Sequence, residues 1–402
     1  MSFRMLGGTN YPRSHAMRYD SRFELKLRME KRTQKSSGAQ KSSSSGRIYQ
    51  TLATDNRLGI AQVKSNNHQK IQKKHVNQTR GPIDVHVHLS GNGKGGADCW
   101  HRRRWLMKPF LQAGARDIGL NCTFDDGHFD QMYLDQLLHW VSQSSLEAAV
   151  LLAYEWVHDD QGAVRKDLSD VFVSNDAVFA AAKRSSKLLP GVAIHPARPD
   201  ALEELERCAT ARAVLLKLLP CVQNVDCNLP KFKRFWTRLA ELGLPFLAHT
   251  GGEFFVRSCR NDLKSPQCLR LPLECGVTVI AAHCGTRALP WDGDHFEEFL
   301  QMRKRFPNFY GDLAALSHIT HLKSLERLRG EPERLVHGTD YPVVTAVFPS
   351  WLKGWIDRET MLRLREIRNP LEKKIQLTKA LGFPDRVFTD LWQLLPTATA
   401  RR

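Results

Sequence analysis

A (β/α)8 barrel is the fold the sequence predicts, on three observations. From Gly81 onward, short β-branched or apolar runs alternate with amphipathic helical stretches, a texture that argues for a parallel sheet. The runs are eight in number, spread over about 320 residues, the size of a single barrel domain. The chain has 402 residues, 42% of them hydrophobic, enough for one large domain or two ordinary ones. An open doubly wound sheet is the competing arrangement.

The first run, residues 83–89, alternates apolar and polar like a strand. Its His86 and His88 stand two apart and so project to the same side, where they can share a metal ion. A His-X-His pair alone also occurs by chance in surface strands. A long insertion follows, with a glycine-rich stretch at 91–96, Trp100, the basic cluster Arg102-Arg103-Arg104 and a helical stretch at 130–143. Connections of this length are lids or binding loops, and Trp100 is a candidate to line a pocket. The ordinary reading of the arginines is a solvated face. The other runs cover 146–153, 188–195, 213–219, 245–250, 277–284, 308–313 and 334–340. Amphipathic segments at 199–209, 231–242, 294–306 and 321–328 separate the later ones. Residues 351–395 read as helices packed on the barrel after the eighth strand.

Active sites of such barrels lie at the carboxyl ends of the strands, so the strand ends are read together. The first gives His86 and His88, the third His195 with Arg198 just beyond, and the fourth Lys217. The fifth ends His249-Thr250-Gly251-Gly252-Glu253, the sixth Ala281-Ala282-His283-Cys284-Gly285, and the eighth His337-Gly338-Thr339-Asp340-Tyr341-Pro342. Singly, each histidine reads as a satisfied core or loop residue. Together, imidazoles and a carboxylate on one face make a donor set suited to Zn²⁺ and acceptable to Mn²⁺ or Fe²⁺. Lys217, His195, Arg198 and Glu253 are candidates for substrate binding, Glu253 alternatively a cap. His337 reads as structural and Cys284 as packing.

These motifs resemble the amidohydrolase superfamily, and more closely its amidohydrolase-related branch, which includes the aminocarboxymuconate-semialdehyde decarboxylase-like enzymes. The resemblance covers residues 81–395 and rests on the first-strand His-X-His, the fifth-strand histidine, "AAHCG" and "HGTDYP". It implies a distorted barrel and a divalent metal, with His86, His88, His249 and Asp340 as ligands. His283 would be the catalytic histidine at a one-metal site, or a ligand at a two-metal site. Lys217 would carry a bridging carboxylated amine if two metals were present; one ion is the favoured count. A bound metal brings the pKa of its water toward about 7, Asp340 can accept that proton, and His283 can stabilise a developing oxyanion. The expectation is a hydrolase of a small amide, ester or lactone. The alternative is a nonoxidative decarboxylase or hydratase of an unsaturated carboxylic acid, which the same motif residues would serve. The resemblance also hints at a homodimer.

The net charge of +17 is unevenly spread. Residues 1–80 hold 17 basic and 4 acidic groups, a net of +13, which leaves 42 basic and 38 acidic groups, a net of +4, for the rest. With its Ser/Gly/Lys tract at 35–46, this front segment is expected to be a disordered basic extension ahead of a catalytic domain at 81–395. It could touch polyanions nonspecifically, act as a transit peptide, or be an extension without a role; the last is favoured. No base-reading motif is present, so no specific nucleic-acid partner is expected. A noncatalytic binding protein acting through this tail is the remote alternative. The nine cysteines form no C-x-x-C pair and read as free thiols of a cytoplasmic protein. No apolar run is long enough to span a bilayer, and the expected partner is a small-molecule substrate.

Overall fold

A computed structural model describes residues 80–102 and 108–396. The expectations for the basic extension before them, and for Arg103 and Arg104, lie outside the described residues. Ten strands occur in chain order: β1 Ile83–His88, β2 Cys99–His101, β3 Ala148–Leu152, β4 Val171–Val173, β5 Leu188–Val192, β6 Leu215–Leu218, β7 Phe246–His249, β8 Val279–Ala282, β9 Phe309–Asp312 and β10 Leu335–Val336. Eight form one parallel sheet in the order β1-β3-β5-β6-β7-β8-β9-β10, one strand within each anticipated run. Strands buried on both faces read as nearly continuous apolar runs, which is why the runs were visible. The ring closes between β10 and β1. Val87 bridges Tyr341 in parallel, Val85 N donates to His337 O at 3.1 Å, and Asp340 N donates to His86 O at 2.9 Å.

Two apolar layers follow from strand alternation. Val85, Leu152, Leu215, Leu247, Ile280 and Val336 belong to the cluster that fills the barrel. Leu216, Leu218 and Ala281 pack outward into the larger cluster shared with the helices. The short helix Leu391–Leu394 plugs the amino end: Trp392 joins the inner cluster, and its Nε1 donates to Gly81 O at 3.0 Å. With that end sealed by apolar side chains, polar groups are left to the carboxyl end.

The phase of β1 changes part way along. Its partners on β3 are Ala148 and Ala149 for Ile83 and Asp84, then Leu151 and Leu152 for Val87 and His88, so β1 holds one extra residue between them. Such a bulge shifts the alternation by one. Ile83 and Val85 pack inside the barrel, whereas Val87 packs outside. His86 and His88 are thereby turned inward, away from the face that carries Asp84.

The long insertion also contains an element that the sequence did not announce. β2 pairs antiparallel with β4, and each strand has only three residues, too few for a periodic pattern to show. The helix Phe129–Gln143 anchors the insertion to the barrel, with Tyr133 Oη donating to His88 O at 2.7 Å. Helices Ala201–Thr210, Lys233–Glu241, Phe296–Arg305 and Leu322–Gly330 occupy the anticipated amphipathic segments. After β10, helices Phe348–Leu352, Arg358–Glu366, Pro370–Ala380 and Arg386–Thr389 precede the helix that plugs the amino end. None of the helices among the described residues is long and apolar enough to cross a membrane.

His337 faces this outer layer. It is fully buried, its ring lies 5.1 Å from that of Phe388, and neither ring nitrogen has a partner. Burial, reinforced by Lys374, pushes its pKa down to about 3. The unfolded chain takes up this proton near pH 6.5 and the folded chain does not, so stability is lost as pH falls from about 6.5 toward 3. His337→Phe keeps the packing and removes the titration. Urea unfolding of the chelator-treated protein is expected to show a shallower loss between pH 6.5 and 4 in the variant, by up to about 1.4 kcal/mol per pH unit. Identical slopes would contradict a buried neutral imidazole.

Candidate metal centre

His86 and His88 leave β1 on the same side, with their Nε2 atoms 3.1 Å apart. Asp340 stands at a positive φ of 64° just past β10, and places Oδ1 3.2 Å from His86 Nε2 and 3.4 Å from His88 Nε2. His283, past β8 with φ 61°, lies over the same spot, its ring centroid 5.3 Å from that of His86 and 5.0 Å from that of His249. One donor atom each from His86, His283 and Asp340 falls within 4.8 Å of the other two, a grouping able to hold a metal ion.

The tautomers follow from the hydrogen bonds. His86 Nδ1 donates to Asp312 Oδ2 at 2.7 Å, and His283 Nδ1 donates to Ala314 O at 3.1 Å. With Nδ1 protonated in both rings, each Nε2 presents a lone pair to the cluster. His249 Nε2 is buried and without a hydrogen-bond partner, 3.6 Å from Glu253 Oε2. A buried ring nitrogen left bare costs energy unless something occupies it. These ring nitrogens and the Asp340 carboxylate fit a divalent cation.

Charge supports the same picture. Burial pushes His86, His88 and His249 down, toward the neutral form that can ligate. Burial alone would raise the Asp340 carboxyl, but the imidazoles of His86, His283 and His88 outweigh it and hold the group well below the usual carboxylate range. Lys217 points inward in register with Leu215, is buried, and places Nζ 3.1 Å from His86 Nε2; burial lowers its pKa to about 8. Glu253 is half-buried, with Oε1 accepting from Phe255 N at 2.7 Å, and burial raises its pKa. The chain can turn from His249 to Glu253 because Gly251 sits at φ 85° and because a Cβ on Gly252 would meet Ala288 N at 2.1 Å.

Seven of the anticipated residues thus meet at the carboxyl end: His86, His88, His249, His283, Asp340, Lys217 and Glu253. The other three are engaged with partners of their own. His195 is held by Gln223 O at 3.0 Å and by Ala197 N at 3.1 Å. Arg198 pairs with Glu155 at 2.9 Å and with Asp200 at 2.7 Å. Trp100 lies on β2, half-buried against Trp156 at 5.1 Å between ring centroids.

Sequence reading missed Asp312, the last residue of β9. It is fully buried and accepts from His86 Nδ1 through one oxygen, and from His283 N at 2.8 Å and Ala314 N at 3.1 Å through the other. A carboxylate closing an apolar strand was the available signal. Asp84 was also missed; its Oδ1 accepts from His86 N at 2.9 Å and Thr339 N at 3.1 Å. Asp312→Asn is expected to weaken metal binding about 10- to 100-fold, the usual cost of losing a carboxylate behind a ligating histidine. Competition with a chromogenic chelator reads this directly, and unchanged affinity would show that Asp312 does not orient the ligand.

Residues 83–379 match the family model described as amidohydrolase, about three-quarters of the chain. No curated protein matches. Among solved structures, an uncharacterized TIM-barrel protein from Bordetella bronchiseptica aligns at 17% identity and TM-score 0.52, over 80% of this chain and 99% of the other. A probable 2-pyrone-4,6-dicarboxylic acid hydrolase from Acinetobacter baumannii aligns at 13% identity and TM-score 0.44, over 75% and 99%. A 5-carboxyvanillate decarboxylase from Sphingomonas paucimobilis aligns at 12% and 0.44, over 80% and 98%. The first of these shows a shared fold. The chain belongs to the amidohydrolase family, whose members are metal-dependent enzymes on this barrel.

Proposed function

We propose that this protein is a hydrolase of a small amide, ester or lactone, working with one divalent ion, zinc by its donor set. The observation that carries this reading is the convergence of imidazole nitrogens on an ionised Asp340 at the barrel's carboxyl end, with His249 Nε2 buried and unpartnered nearby. His86, His88, His249 and Asp340 would hold the ion. Three nitrogens and one carboxylate are a common zinc set. When bound, such an ion acidifies a water molecule and polarises a carbonyl oxygen.

The chain's own groups supply the rest. Asp340 is ionised and uses Oδ1 toward the histidines, which leaves the carboxylate able to accept a proton from the attacking water and return it to the leaving group. His283, fixed through Nδ1 by Ala314 O, has Nε2 on the side of the cluster, where it would stabilise charge developing on the carbonyl oxygen. Lys217 Nζ stands 3.1 Å from a ligand nitrogen, close enough to donate directly to a substrate oxygen in this small space, and we assign it that role in preference to a bridging carbamate.

Turnover in ¹⁸O-labelled water tests the reaction type. On a panel of amides, esters and lactones, hydrolysis places one labelled oxygen in the product acid. Asp340→Asn should lower kcat by about 100- to 10,000-fold, the range of a lost general acid–base. Release of CO₂ from an unsaturated acid, with solvent hydrogen entering at carbon and no label uptake, would assign the site to decarboxylation instead.

A further inference from the structure

The turn after β7 carries a second carboxylate back to a ligand-type histidine. Glu253 stands four residues beyond His249, and the chain between them is locked against the turn after β8. Thr250 Oγ1 donates to Ala282 O at 2.7 Å and accepts from Gly285 N at 2.9 Å. Gly251 N donates to Lys264 O at 2.8 Å, and Gly252 N donates to Thr286 O at 2.9 Å. Glu253 itself is fixed through one oxygen: Oε1 accepts from Phe255 N at 2.7 Å and from Val256 N at 3.3 Å. Backbone bonds before and after the residue thus set where its other oxygen stands.

That oxygen, Oε2, is left over. The side chain is 10% exposed, yet among the described residues Oε2 takes part in no hydrogen bond and has no lysine or arginine within ion-pair distance. Its neighbour is His249 Nε2 at 3.6 Å, a ring nitrogen that is itself buried and unpartnered. A proton on either atom does not bridge them, since hydrogen bonds of this kind close to about 3.2 Å or less. Two electron-rich atoms held side by side out of water cost energy unless a cation joins them. The spacing suits an ion. Two donors about 2.1 Å from one ion stand roughly 3.0 to 3.6 Å apart as the angle between them opens from about 90° to about 120°. His86–His88 at 3.1 Å, His86–Asp340 at 3.2 Å and His88–Asp340 at 3.4 Å fall in the same range. Asp340 and His283 are also among the charges that act on Glu253, which puts it at the same centre.

We propose that Glu253 is a further metal ligand, through Oε2, beside His249. The proposal rests on the metal-dependent reading above and adds a donor to its four. Two carboxylates then balance the double charge of the ion, and zinc accepts a fifth donor. Capping of the turn accounts for Oε1 alone and leaves Oε2 buried without a partner.

Chelator competition for Zn²⁺ tests this without turnover, on the unsubstituted protein, Glu253→Gln and Glu253→Asp. Glu253→Gln keeps an acceptor for Phe255 N and Val256 N but turns an amide toward the ion. Glu253→Asp keeps the charge but withdraws it by one methylene. Both variants are expected to lose affinity by at least the roughly tenfold that even a residue behind a ligand commands. The visible absorption of the Co²⁺-loaded protein should change in both, with urea unfolding of the metal-free forms as the check on folding. Loss in Glu253→Gln alone, with the affinity and spectrum of Glu253→Asp intact, would show a charge acting through space and overturn the ligand. Two ions in the unsubstituted protein, one of them lost in both variants, would place Glu253 on a second ion and overturn the shared one. Metal held equally by all three proteins would remove Glu253 and leave the centre standing, whereas no metal in the unsubstituted protein would remove the centre itself.

Discussion

One fully buried carboxylate holds the centre together. Asp312 ties the end of β9 to β1 through His86 and to β8 through the His283 backbone, so three strands meet on a single side chain. Its burial at zero exposure is tolerated because hydrogen bonds to both oxygens replace the lost water. It also sets the His86 tautomer, and the tautomer decides which nitrogen faces the cluster. Without that bond, the ring could present a proton where a lone pair is required.

The second constraint is the phase of β1. Uninterrupted alternation with Val85 inside would send His86 and His88 outward among the helices. The extra residue after Asp84 reverses this, and Asp84 itself steadies the irregular stretch by accepting from His86 N and Thr339 N. Positive φ at His283 and Asp340 is a matching local irregularity at two other ligand-type positions. Non-glycine residues rarely adopt it, and here two polar side chains that do so point into one pocket. Regular layers give the barrel its stability, and departures from regularity aim its polar residues.

Much of this was legible in the sequence. Strands buried on both faces leave apolar runs, so all eight barrel strands fell within anticipated segments. Residues at the ends of those runs, from His86 to Asp340, were found because barrel topology brings strand ends together. What could not be read was direction and partnership. His-X-His shows that two rings share a side but not which side, since the bulge leaves no mark in residue type. His195 ends its strand run as His249 does, yet it is bonded to Gln223 and Ala197, contacts set by a four-residue helix and a turn too short for any pattern. Asp312 had the right position, but a lone carboxylate at a strand end does not show that it stands behind His86. The three-residue strands β2 and β4 are too short for any pattern.

The central claim is a single-metal centre built by His86, His88, His249 and Asp340, with Lys217 beside it as a plain amine. Elemental analysis of metal per chain, on the unsubstituted protein and Lys217→Ala together, tests it most directly. Close to one ion per chain is expected in both. Two ions falling on substitution would mean that Lys217 bridges a pair of metals, and no bound ion in either protein would contradict the centre itself.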